Sequence, residues 1–576
     1  MARVSIIIAL ASALLSPVEA KCYDPSPAFP VPDWKDGAEL KPALDLITDR
    51  LEAIVGGEKY DKTSFSVEIT SNTETLWTHY HSARIHNATR LGVKHVDGDS
   101  QYRIASITKT FTTLGIMYQH AAGNLSLDDP LSRYIPELAE KQAGTIPWHD
   151  ITLRSMASQL SGIPREMAQG DLINRIDEPW KLGLPPVSKE GLPDCYEYKG
   201  HKPCTRAQLL NDLKRRSPVY APNQQSTYSN VNLVLLGLVL ENVTGMSYSE
   251  YIDQAIFKPL NMASTSLETP PDDHAVLPLG QYYWDIDEGV YRPTGGIYSS
   301  SSDLSKFLRY ILTHYNAIVK GLNWIMPASW SMGMHNFYGM PFEIFRTDRI
   351  LEESRRPVTF VTKAGGEPDY FSRISMLPEY GLGITTLVTS EYGVLQELQE
   401  IVSVTLVRAA ESAVWSALAS SYAGSYAATD QSLNTSMHLS VSAGKVLEMT
   451  SFISNGTDVL STLLPEFSYA DQEPMALWHA QLQPTLLYKD FSHQRGEIWR
   501  LMTVSDRVGN QDERPIFDDL CLTDVDFGSY GGLPINEMVF WQEEGVVELS
   551  AWRMNMTRAA NSAAEETIEA MHGDLR

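Results

Sequence analysis

The chain has 576 residues, 43 % hydrophobic and 20 % charged, which fits globular material in two or three domains and excludes disordered or fibrous classes. Lys plus Arg number 46 against 71 Asp plus Glu, a formal net charge of −25. A surface that negative repels nucleic-acid phosphates and anionic lipid headgroups, so neither is an expected partner. Residues 1–20 read as a secretory leader: Arg3 supplies the positive end, residues 4–15 are an apolar run too short to span a bilayer, and Val18-Glu19-Ala20 is a cleavage pattern. No later stretch approaches eighteen apolar residues, so no membrane span is expected and the mature chain from Lys21 is expected to be secreted or lumenal.

Residues 21–36 carry four prolines and read as an extended lead-in. Phe65, Val67 and Ile69 alternate with polar neighbours, the period of a half-buried strand, and residues 75–83 suit its hairpin partner. From Ser106 the pattern turns helical through Ile107, Phe111, Leu114 and Tyr118, until turn chemistry at 124–130 ends it. Residues 165–222 are polar and proline-rich, a long insert of the kind that serves as an ordered lid. A buried helix is predicted over 231–243, another over 303–315, two strands over 370–389 around the turn 378–381, and a helix over 395–420. Beyond Tyr422 short strands dominate, at 445–453, 485–491, 497–504, 537–541 and 546–554, the pattern of a small antiparallel sheet or barrel. These limits give a leader 1–20, a first domain 21–415 and a C-terminal β-domain 416–576. The aromatic residues Trp478, Trp499, Trp541 and Trp552 of that last domain read as core rather than as a ligand pocket.

Six N-x-S/T sequons, at Asn87, Asn124, Asn242, Asn434, Asn455 and Asn555, agree with a secretory route and mark candidate glycosylation sites. The four cysteines allow three pairings. Cys195 with Cys204 would staple a short loop inside the insert and leave Cys22 to meet Cys521, the alternative being that one or two are free thiols.

Three short motifs carry chemistry. In Ser106-Ile107-Thr108-Lys109 a hydroxyl and an amine three residues apart share a helix face, and a serine nucleophile needs such a base, its pKa lowered by burial or a neighbouring cation. Tyr228-Ser229-Asn230 opens the buried helix with a tyrosine able to relay protons and an amide that both donates and accepts. Lys363-Ala364-Gly365-Gly366, expected on an edge strand, would set a cation and glycine N–H groups against a substrate carbonyl. Each alone is weak, since surface serines, helix starts and glycine turns are common.

Together and in this order they resemble the serine β-lactamase and penicillin-binding family, in its class C β-lactamase, esterase and transesterase branch. Further matching stretches are Leu160-Ser161-Gly162-Ile163-Pro164, Val243-Thr244-Gly245, Gly295-Gly296-Ile297-Tyr298-Ser299 and Leu377-Pro378-Glu379-Tyr380-Gly381, so the likeness covers roughly residues 40–410. The resemblance implies an α+β fold, a β-lactamase/transpeptidase-like antiparallel sheet beside a helical lobe. It also implies an acyl-enzyme on Ser106, with Lys109 and Tyr228 sharing the proton work and Lys363 holding Tyr228. Oxyanion donors would be the N–H groups of Ser106 and Gly366, and Asn230 would bond Lys109 and the substrate. Tyr422-Ala423-Gly424-Ser425-Tyr426 resembles the opening strand of the lipocalin-like β-domains that follow some family members.

Ala364 departs from the pattern, because members acting on β-lactams or D-peptides carry a hydroxyl residue there. Its absence favours an ester or lactone as substrate. Glu166 falls near the place of a family amide side chain and would add a negative charge to the pocket. There is no G-x-S-x-G elbow, and none of the 14 histidines begins an H-E-x-x-H motif. The pair His79 and His81 reads as a strand-edge pair. Neither cofactor nor metal is expected. The expectation is therefore a secreted serine hydrolase of small molecules, esterase-like. The alternatives are a transesterase of small-molecule biosynthesis, a β-lactamase or D-peptidase, or a non-catalytic binding protein of the same fold. The sequence leaves the oligomeric state open.

Overall fold

The structure is a computed structural model describing residues 26–140, 144–197, 200–280, 283–352, 354–441, 446–463, 466, 478–505, 516–519, 525–526 and 528–559. The leader, Cys22 and Cys521 lie outside the described residues. The chain divides into two compact units, one of residues 31–350 and 357–410, the other of residues 26–30, Leu351–Arg356 and the chain from Glu411 onward. Residues 26–30 and Leu351–Arg356, which the sequence reading assigns to the first domain, thus cluster with the C-terminal unit.

The larger unit contains, in order, α1 (Lys41–Ile54), β1 (Phe65–Thr70), β2 (Thr75–His81), α2 (Thr108–Ala121), α3 (Asn230–Thr244), α4 (Ser301–His314), β3 (Ser329–Trp330), β4 (Asn336–Tyr338), β5 (Glu343–Thr347), β6 (Val358–Glu367), β7 (Tyr370–Leu377) and β8 (Leu382–Thr389), followed by α5 (Tyr392–Tyr422), of which the part to Ala410 belongs to this unit and the rest to the second. The strands form one antiparallel sheet in the order β2-β1-β8-β7-β6-β5-β4-β3. The helical lobe gathers around α3, whose residues from Val231 to Leu240 are all buried, as expected of a helix apolar on every side. His79 and His81 lie on the edge strand β2, stacked with Phe65.

Four expectations need correction. All six residues of β1 are buried, not half of them, because α4 covers the polar face. There the buried Glu68 accepts hydrogen bonds from Tyr80 (2.9 Å), Ser301 (2.7 Å) and Ser305 (2.9 Å), so a polar residue inside is fully satisfied. The insert 165–222 is not all loop. A helix at Arg206–Leu213, begun by a Thr205/Gln208 capping box, buries Leu209, Leu210 and Leu213, and the Cys195–Cys204 disulfide closes the loop before it. Strand β6 is interior, paired by β5 and β7; the β5 register ends at Thr362, so only its last five residues have an open edge. Finally, α5 extends beyond the helix expected over 395–420 at both ends; among the described residues it is the one helix long and apolar enough to cross a membrane by length and composition, and 56 % of its most apolar stretch is buried inside the protein. Its first half packs on the sheet through Phe371 with Tyr392 and through Arg373 with Gln399.

The second unit is a closed barrel. Its strands are β9 (Gly424–Ala428), β10 (Ser436–Val441), β11 (Leu447–Ser454), β12 (Trp478–Asp490), β13 (Arg495–Ser505), β14 (Glu537–Trp541), β15 (Val546–Leu549) and β16 (Met554–Arg558). The order β10-β9-β16-β15-β14-β13-β12-β11 closes through β10 with β11, a ring of eight antiparallel strands. The single strand expected over 546–554 is two, separated by a turn. Trp499 is fully buried with the rings of Phe29, Tyr422 and Phe540 around it, whereas Trp541 and Trp552 are half-buried; the side chain of Trp478 lies outside the described residues. Of the sequon asparagines, Asn124, Asn242, Asn434, Asn455 and Asn555 are exposed and Asn87 half-exposed.

Candidate active site

Ser106 lies on a tight turn, Ala105–Ile107, that leads into α2, and it is the half-exposed residue in an otherwise buried run from Gln101 to Met117. Ala105 before it holds φ at +46°, a left-handed conformation that costs an alanine energy and that the surroundings must impose. Those surroundings are β6 and β7. Ser372 Oγ donates to the Ile104 carbonyl at 2.8 Å, and a Cβ on Gly365 would lie 2.3 Å from that same oxygen and 3.1 Å from the Ser106 nitrogen. Only glycine lets the strand come so near. Gly365→Ala should displace the Ser106 turn and lower kcat/KM about 100-fold, since misplacement by about 1 Å can cost that much. An ester assay beside a thermal melt checks it, and unchanged turnover would contradict the packing argument.

In the first turn of α2, Lys109 is completely buried. Its Nζ donates to Ser106 Oγ at 2.8 Å and to the Thr294 carbonyl at 2.9 Å. Burial disfavours the ammonium and pushes its pKa down, against the pull of Tyr228. Tyr228 lies two residues before α3, and both Lys109 Nζ and Lys363 Nζ are 5.2 Å from its ring centroid. Burial alone would raise the phenol, but the two ammonium groups and the Ser106 hydroxyl outweigh it and hold the pKa below the ordinary value.

The turn carrying Tyr228 is clasped by the segment 159–165. Gln159 Oε1 accepts from the Ser229 N–H (2.8 Å) and the Asn232 amide (3.1 Å), and Ser229 Oγ donates to Pro164 O at 2.7 Å. Gly162 is required in this clasp: its φ is +72° and a Cβ would meet Tyr220 O at 2.1 Å.

Lys363 is buried and ion-paired with Glu343 of β5 at 2.6 Å, while Glu343 Oε2 also accepts the Ala364 N–H at 3.1 Å. Glu343 holds the lysine above its ordinary pKa against burial, and in return its own carboxyl is lowered despite burial. Because N–H groups alternate along a strand, the Gly366 N–H points to the same edge as that of Ala364, beyond the end of β5. That edge is free to receive an oxyanion.

Ser106, Lys109, Tyr228, Lys363 and the Gly365–Gly366 edge therefore come together as the motifs implied. Asn230 differs. Its amide donates to Glu166, and Lys109 bonds Ser106 and Thr294 instead. Burial pushes the Glu166 carboxyl upward, which favours its neutral form and offsets the negative charge expected there. The sequence reading missed Glu343, the Thr294 carbonyl and Arg165, whose guanidinium carbon lies 4.7 Å from the Tyr228 ring centroid. It also missed a buried Arg103–Glu288 pair (2.7 Å) with Glu367 beside it, which anchors the strand leading to Ser106.

An antiparallel sheet flanked by a helical lobe, with a serine turn docked at their seam, defines the class: a hydrolase of the serine β-lactamase-like kind. Comparison with known families agrees over most of the chain. Residues 47–404 match the family model described as Beta-lactamase, and the chain belongs to that family; residues 414–560 match the one described as "Beta-lactamase-like-like, C-terminal domain". Among curated proteins it is similar to "Probable hydrolase clz13" of Cochliobolus lunatus, 30% identical over 94% of this chain and 92% of that protein. It is similar too to "Probable hydrolase M10" of Phoma sp., 30% identical over 90% and 87%. A "Beta-lactamase-like protein" of Arthroderma benhamiae is 32% identical over 66% of this chain and 65% of its own. Solved structures include a class C β-lactamase mutant (17% identical, 64% of this chain and 97% of that one, TM-score 0.47) and a D-stereospecific amidohydrolase from Streptomyces sp. (21%, 64% and 98%, TM-score 0.46).

Proposed function

We propose that the protein hydrolyses an ester or lactone through an acyl-enzyme on Ser106. The observation that carries this reading is the 2.8 Å hydrogen bond between Ser106 Oγ and Nζ of a lysine whose ammonium burial disfavours. Lys109 and Tyr228 together take the serine proton as Oγ bonds to the substrate carbonyl carbon, and return it to the departing alkoxide. The Ser106 and Gly366 N–H groups stabilise the oxyanion. Water then attacks the acyl-enzyme and releases the acid. Ala364 supports an ester over a carboxylated lactam or peptide, since no hydroxyl stands beside Lys363 and Glu343 already engages that lysine's charge. Intact-mass analysis after fluorophosphonate treatment tests this reading: one adduct is expected, absent in Ser106→Ala. A folded wild-type protein that takes no adduct would reject it.

We also read the protein as secreted. The disulfide and the five exposed sequon asparagines support this beside the leader pattern. Protein recovered from the medium of a eukaryotic host should begin at Lys21 and lose mass on deglycosylation; an intact Met1 end would refute it.

A further inference from the structure

We infer that the cavity beside Tyr228 is a subsite for an anionic group of the substrate, a carboxylate on its acyl chain or its leaving group; the inference rests on the acyl-enzyme reading above. The cavity holds about 450 Å³, and its polar wall is Arg165, Glu166, Arg175, Tyr196 and Arg216. Three guanidiniums around one space stand out in a chain of net charge −25. They come from separate parts of the 165–222 insert and its root, so the basic character arises from folding and not from a run of charge.

The cavity adjoins the reacting groups. Arg165 stacks on the Tyr228 ring, its backbone carbonyl accepts the Asn230 N–H at 2.9 Å, and the Asn230 side chain donates to Glu166. A substrate acylating Ser106 would therefore have this cavity as its neighbour on the Tyr228 and Asn230 side.

The cations are only partly matched. Arg216 is held by Asp212 at 2.8 Å through its Nε. The carboxylate nearest Arg165 is that of Glu166, at 3.5 Å. Arg175 makes no ion pair among the described residues, although its charge acts on Glu166. Three guanidiniums stand against two carboxyls, Glu166 and Asp212, so the local balance is positive even with Glu166 ionised, and burial pushes the Glu166 carboxyl upward. A neutral Glu166 would also turn its buried Oε2, which has no hydrogen-bond partner among the described residues, into a donor. Arginine's planar fork suits a carboxylate in two-pronged geometry.

The wall is also pre-built. Met167 N–H donates to the Tyr291 hydroxyl at 3.0 Å, and the Asn174 amide ties Ala168 O (3.1 Å) to Pro193 O (3.0 Å). Tyr196 is adjacent to the Cys195–Cys204 disulfide. At the strand, Lys363 is neutralised by Glu343 and Ala364 offers no hydroxyl, so anion recognition falls to the insert and not to the strand.

The test compares kcat/KM of the full-length enzyme for nitrophenyl hydrogen glutarate against nitrophenyl valerate, and for carboxyphenyl valerate against phenyl valerate. A preference of roughly ten- to hundred-fold for the charged ester is expected in one pair, eroding as salt rises. The pair that shows it places the anion on the acyl or the leaving side. The charged-to-neutral ratio should fall at least five-fold in Arg175→Gln and in Arg165→Gln, and be partly kept in Arg175→Lys. No preference in either pair, or a ratio unmoved by both glutamine variants, overturns the subsite. Calorimetry with glutarate on Ser106→Ala separates the two readings. Binding that Arg175→Gln removes, with no ester turned over by the wild type, would reject the acyl-enzyme and keep the subsite; turnover without charge preference would do the reverse.

Discussion

Lys109→Met is expected to lower kcat/KM for a nitrophenyl ester about 10³-fold, roughly 4 kcal/mol of barrier, with the melting temperature held or raised. The side chain is wholly buried and reaches Ser106 Oγ and one backbone carbonyl. Methionine fills a similar volume without a buried amine, so lost activity cannot be assigned to lost packing. Lys109→Arg should fail to rescue, because a guanidinium does not give up its proton, whereas a site needing only a positive charge would recover. The pH profile supplies a second reading. The base is competent when unprotonated, so wild-type kcat/KM should climb along an acid limb whose midpoint lies below the ordinary lysine value of 10.5, burial having pushed Lys109 down. Removing Lys109 takes away one of the two cations that hold the Tyr228 phenol low, so the residual activity of Lys109→Met should show its limb at higher pH. A limb that moves to lower pH would contradict the assignment of Tyr228 as its partner.

The parts of the site legible in the sequence are those whose geometry is local. A serine and a lysine three residues apart on a helix face, a tyrosine two residues before a buried helix, and a glycine pair on a strand are each readable because spacing alone sets where the side chains point. Glu343 was not readable. It precedes Lys363 by a whole loop and meets it only because β5 pairs β6 with Glu343 opposite Thr362, a register that no pattern in either strand announces. Arg165 and Arg175 gave no signal either, since an arginine in a polar, proline-rich insert looks like any solvated charge until the insert folds back over Tyr228. The helix at Arg206–Leu213 was hidden for a related reason: its leucines have helical spacing, but the prolines on both sides dominate the composition. In β1 the error had the opposite sign. Alternation there correctly marks a strand, yet it also separates two faces that are both buried, one against apolar neighbours and one against hydroxyls of α4.

Arg103→Met should cost about 3–5 kcal/mol of unfolding free energy, the range for breaking a buried pair by removing one partner. Arg103 belongs to the two-residue strand Tyr102–Arg103 that leads to Ser106, and its side chain is buried. Its guanidinium bonds Glu288 at 2.7 Å, the Tyr298 hydroxyl at 2.7 Å and the Ile286 carbonyl, and stacks 4.6 Å from the Tyr298 ring centroid. Glu367, next to Gly366, is 3.7 Å from the same nitrogen. Two buried carboxyls therefore face one cation. Burial raises both above the usual carboxylate range, and the Glu367 carboxylate raises Glu288 further, while Arg103 and the hydrogen bond from Glu288 pull Glu367 back, so a proton held between the two is favoured. An acid whose folded pKa is raised contributes stability at low pH that is lost as pH climbs through that folded value. Without Arg103 both values rise further, so the penalty should be larger at pH 8 than at pH 5, where protonation of the two carboxyls leaves less unpaired charge buried. Urea titrations of wild type and variant at the two pH values measure this directly. A penalty that grows on acidification would show that the cluster is held by packing around Arg103 and not by its charge. Because Glu367 continues the strand edge that bears Gly366, the same variant should also lose ester turnover at pH values where it remains folded.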